Sequence, residues 1–74
     1  MHKTEVIADF GESLKVYRHK AGFTQQELAE KTGIHRVSVA RYESGKRQPD
    51  MYTLLIMSDV LGLDHEFFLQ KKGK

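Results

Sequence analysis

The sequence predicts an all-α domain of five short helices, and three observations carry that expectation. Apolar residues recur at spacings of three and four along most of the chain, which is the period of one buried helical face. Four of the six glycines, Gly22, Gly33, Gly45 and Gly62, fall singly where those patterns stop, as left-handed terminators do. Thr24 and Glu27 write a capping box immediately before one of the apolar stretches.

The elements follow in order. Ile7, Phe10, Leu14, Tyr17 and Ala21 share a face and predict a first helix that ends near Ala21, with Gly22 as its stop. Thr24 can then cap the free amides of the next turn while Glu27 returns a bond to the amide of Thr24. Phe23 and Leu28 hold the two positions of a hydrophobic staple around that box. The second helix is expected over 25–32, with Leu28, Ala29 and Thr32 inward and Gly33 closing it. A third covers 36–44, with Val39 and Tyr42 inward and Gly45 beyond. After the Lys46-Arg47-Gln48-Pro49 loop, Asp50 caps a fourth helix whose inner face is Met51, Leu54, Leu55, Ser58 and Leu61, stopped by Gly62. Asp64 caps a fifth over 65–70 that carries Phe67, Phe68 and Leu69. Residues 1–5 read as an N-terminal arm, 6–70 as the domain and 71–74 as a flexible basic tail.

Size and composition exclude much. A chain of 74 residues buries only about 60% of its unfolded surface, too little for both a core and a deep substrate pocket. The four histidines show no metal-ligand spacing and no glycine-rich phosphate loop is present, so neither catalysis, nor a metal, nor a cofactor is expected. With no cysteine there is no disulfide framework and no thiolate zinc site, as suits a reducing cytosol. No stretch has the length of a signal peptide's apolar core or the roughly 18 apolar residues of a membrane span, so a cytoplasmic chain without membrane partners is expected. The formal charge of +2 conceals polarity along the chain: residues 18–47 carry a balance of +4, residues 48–70 one of −4.

Two helices joined by a short turn containing glycine describe a helix-turn-helix, whose second helix enters the DNA major groove. Each residue type has a mechanical reason. Ala29 is small where the helices cross, Gly33 supplies the positive φ of the turn, and Val39 fills the wedge between them. The run Arg18-x4-Phe23-Thr24-Gln25-Gln26-Glu27-Leu28-Ala29, then Gly33, Tyr42-Glu43-Ser44-Gly45-Lys46 and Leu61-Gly62, resembles the lambda-repressor-like (Cro/repressor, XRE-type) family of helix-turn-helix DNA-binding domains. The resemblance spans Leu14 to Leu69 and implies a compact five-helix fold with the helix-turn-helix at helices two and three.

By that resemblance Gln25 contacts a DNA phosphate from the start of helix two, with Gln26 the weaker candidate. Arg18 and Glu43 form a scaffolding pair. Base reading is expected from His35, Arg36, Val37 and Arg41, because arginine can bond guanine O6 and N7 together and valine can pack on a thymine methyl; Ala40 is too small to donate. Ser38, Lys46 and Arg47 are expected on phosphates. His35 departs from the family, which usually has Ser or Thr at this cap. Either helix three is weakened there or the ring contacts DNA, and in the second case a protonated His35 strengthens binding near pH 6.

One such domain reads half a site, so a homodimer on double-stranded DNA is expected, acting as a transcriptional regulator and repressor on a palindromic operator. Tyr52, Ile56, Val60, Phe67 and Phe68 are the candidate dimer surface. The alternative is an antitoxin or adaptor that uses the same face of helices four and five for a protein partner.

Overall fold

The computed structural model describes residues 4–6, 10–63 and 69–71, the two outer segments by backbone alone. Their order is β1 (Thr4–Val6), α1 (Phe10–Lys20), α2 (Gln25–Thr32), α3 (Arg36–Glu43), α4 (Met51–Leu61) and β2 (Leu69–Lys71). The four helices enclose a core of Phe10, Leu14, Leu28, Ala29, Val39, Tyr42, Leu54 and Met57. Phe23, Ile34, Val60, Leu61 and Leu63 pack around it. Every helix contributes two of the eight, so no helix buries its face without the others.

Local chemistry sets the boundaries. Thr24 Oγ1 accepts from the Glu27 amide at 3.0 Å while Glu27 Oε1 accepts from the Thr24 amide at 2.8 Å, which closes the expected capping box at the start of α2. Gly33 ends α2 at φ 76°, a conformation that L side chains rarely adopt, and its amide donates to Ala29 O at 2.8 Å. Thr32 Oγ1 donates to Leu28 O and accepts from the Ile34 amide, tying the last turn of α2 to the short link into α3. α3 packs against both α1 and α2, and α4 packs against α2.

Several expectations need correction. Phe10, Leu14 and Arg18 are the buried residues of α1; Tyr17 is half-buried and Ala21 is exposed beyond the last turn. In α4 Met51 is 49% exposed and Met57 is buried instead: Met51 is the first residue of the helix, and the buried residues are Leu54, Met57 and Ser58 in its middle and last turns. The fifth helix is not continued through Leu69 and Gln70, which lie in β2 and pair antiparallel with β1 in the register Val6↔Leu69, Glu5↔Gln70, Thr4↔Lys71. Backbone bonds to a strand from the other end of the chain replace a helical turn there. The remaining residues expected in that helix, with Phe67 and Phe68, lie outside the described residues, as does Ile7.

Candidate nucleic-acid interface

The site is assembled around a carboxylate. Glu43, the last residue of α3, accepts from Arg18 Nε at 2.5 Å on Oε2 and from Arg18 Nη2 at 3.0 Å on Oε1. The two side chains are 7% and 4% exposed, so the pair is desolvated and doubly hydrogen-bonded, the arrangement in which a planar guanidinium excels. Arg18 Nη1 also donates to Phe23 O at 2.8 Å. One guanidinium thereby ties the end of α1, the segment leading into α2 and the end of α3.

Gln25 joins this cluster: its Nε2 donates to Glu43 Oε1 at 3.1 Å. A primary amide carries two N–H donors, so this bond orients the group while one donor is left for another acceptor. Gln25 is also the first residue of α2, at the end of the helix that carries a partial positive charge. Gln26 donates to Glu30 Oε2 at 3.0 Å on the exposed side of the same helix. The first bond spans 18 positions and is not legible from spacing, whereas the second joins residues four apart on one helical face.

On α3, Arg36, Val37 and Arg41 are exposed, Val37 to 41%, while Ser38 and Ala40 are half-buried. Arg47 spans the loop back to the helix, with Nη1 3.5 Å from Ser38 Oγ and the guanidinium 5.8 Å from the centre of the Tyr42 ring. Lys46 is exposed beside it. The four cations Arg36, Arg41, Lys46 and Arg47 therefore lie on α3 or within the loop that follows it. Nearby, Thr53 N–H donates to Asp50 Oδ1 at 2.8 Å, and this bond, helped by the Thr53 hydroxyl and the charge of Arg47, holds the Asp50 carboxyl below its ordinary range.

His35 corrects the expectation about capping. Its Nδ1 accepts from the Val37 amide at 3.2 Å, with φ −63° and ψ 139°, so the ring caps α3 after all. The cap uses a lone pair that protonation would remove. Imidazole and carboxylate chemistry meet in a surface cleft of about 310 Å³ lined by Gln26, Ala29, Glu30, Ile34, His35 and Arg36.

Gly11 is a site residue that sequence reasoning passed over. A Cβ on it would stand 2.6 Å from Tyr42 O and 2.7 Å from Glu43 O, so α1 and the end of α3 approach each other more closely than alanine allows. A lone glycine between Phe10 and Leu14, inside a helical pattern, was the available signal.

Of the candidate dimer residues, Tyr52 is 73% exposed, Ile56 is half-buried and Val60 rests against the core. Among the described residues no group of three His, Asp or Glu could hold a metal, and no helix is long and apolar enough to cross a membrane.

The helix-turn-helix (HTH_3) family model matches residues 14–68. The chain is 43% identical over 61 residues to the SPbeta prophage-derived uncharacterized HTH-type transcriptional regulator YonR of Bacillus subtilis strain 168, covering 82% of this chain and 56% of that protein. It spans about half the length of the curated relatives it matches. Among solved structures it is similar to the N-terminal DNA-binding domain of SinR from Bacillus subtilis, with a TM-score of 0.77, 29% identity, and coverage of 88% of this chain and 96% of that one. It is similar also to the P22 c2 repressor in complex with a synthetic operator, with a TM-score of 0.78, 25% identity, and coverage of 92% and 100%. The chain belongs to the helix-turn-helix HTH_3 family and has the lambda-repressor-like, XRE-type fold.

Proposed function

We propose that this chain is a sequence-specific DNA-binding transcriptional regulator, a repressor, that reads a palindromic operator in the major groove as a homodimer. One observation carries the reading: α3 is held from behind by the Arg18–Glu43–Gln25 cluster and leaves Arg36, Val37 and Arg41 on its outer surface. A rigidly mounted helix with two exposed arginines suits base readout, because bidentate bonds to guanine need fixed geometry. His35 begins the same surface. Gln25, Gln26, Ser38, Lys46 and Arg47 flank it and serve the phosphates, which set register without reading sequence. The operator-bound structure of the similar P22 c2 repressor supports the DNA reading.

Homodimerisation is assigned to Tyr52, Ile56, Val60, Phe67 and Phe68. The exposure of Tyr52 and Met51 on α4 favours an apolar contact, and a protein partner on that face, as in an antitoxin or adaptor, is the second reading. Selection of bound sequences from random duplex DNA tests both. Two inverted half-sites about 34 Å apart are expected from the dimer. A single half-site would contradict the dimer, and the absence of any enriched sequence would favour the protein-binding role.

A further inference from the structure

We propose that the neutral His35 ring contacts DNA as a hydrogen-bond donor only, held in the Nε2–H tautomer by the bond that caps α3. The proposal rests on the DNA-binding reading above and deepens it at one residue. It starts from the 3.2 Å bond between the Val37 amide and Nδ1. An amide N–H can only be accepted by a ring nitrogen with a free lone pair, so the single proton of the neutral ring sits on Nε2. The two nitrogens diverge across a rigid ring. With Nδ1 turned to the first turn of α3, Nε2–H points away from it, and His35 is exposed beside the exposed Arg36 and Val37.

Such a group selects acceptors: purine N7, guanine O6, thymine O4 or a phosphate oxygen. It has no means of accepting from adenine N6 or cytosine N4, which gives the N-cap of the recognition helix a sign. Serine at the same cap would present no second, rigidly directed donor.

The test compares the full chain with His35→Asn, which caps a helix well and does not titrate. At pH 7.5 a changed preference at one base pair in the variant places Nε2–H on a base edge, and an equal loss on all sequences places it on a phosphate; no change in either overturns the contact. Nitrogen-15 spectra of the neutral ring in the free protein are expected to show the proton on Nε2. DNA binding with the proton on Nδ1 overturns this proposal alone. A chain that binds no duplex at any pH overturns the DNA-binding reading and the contact with it, whatever the ring spectrum shows.

Discussion

Arg18 and Glu43, 25 positions apart in the chain, meet through two parallel N–H···O bonds in a site where both side chains are almost wholly buried. Removing one partner strands the other charge without water. Glu43→Ala is expected to lower stability by about 3 to 5 kcal/mol, measured by denaturant unfolding. Glu43→Gln keeps two acceptor lone pairs on its carbonyl oxygen and is expected to lose less. An unchanged melting temperature with DNA binding lost would make Glu43 a contact residue and not a brace.

Arg36 and Lys46 should separate reading from holding. Arg36→Ala is expected to relax preference at one base position at a cost of about 1 to 3 kcal/mol, whereas Lys46→Ala weakens all sequences alike. Binding profiles across a library of duplexes decide between them. Identical profiles for the wild type and Arg36→Ala would remove Arg36 from the base readers.

Gly11→Ala tests how closely α1 and α3 must approach. Alanine is the better helix former by about 1 kcal/mol, but its Cβ would fall 2.6 Å from a backbone carbonyl oxygen that cannot rotate away. The helices must separate, and a net destabilisation of about 1 to 3 kcal/mol is expected, as for other overpacked contacts. Thermal unfolding measures it, and a variant as stable as the wild type would show that the contact yields freely.

Asp50 gives the fold an acid limit at the start of α4. Its folded carboxyl titrates below the ordinary value of 3.8, so the ionised cap stabilises the fold at neutral pH. That contribution is lost as pH falls through 3.8 towards the folded value. Asp50→Asn caps without titrating, so unfolding curves of the wild type and the variant should diverge only below about pH 4, with the wild type falling further. Parallel curves down to pH 2 would remove the cap from the acid response.

What could be read from sequence was local. The box from Thr24 to Glu27, Gly33 and the cap at Asp50 each involve partners within four positions, and α2 begins and ends where those residues direct. Side-chain reach across the fold was harder to see. The bond from Gln25 to Glu43 spans 18 positions and depends on where α3 ends, which no spacing encodes. The pairing of Thr4–Val6 with Leu69–Lys71 is more remote still, and its three-residue strands are too short to show a period of two. His35 misled for a different reason: histidine is a rare cap, and whether its ring turns inward depends on χ angles that the residue type does not determine.

Salt dependence of duplex binding addresses the DNA reading most directly. If Lys46 and Arg47 each neutralise a phosphate in both halves of a dimer, the logarithm of the affinity should fall with the logarithm of salt concentration at a slope of about −3.6. A slope near zero, or no duplex binding at low salt, would contradict a nucleic-acid role for this surface.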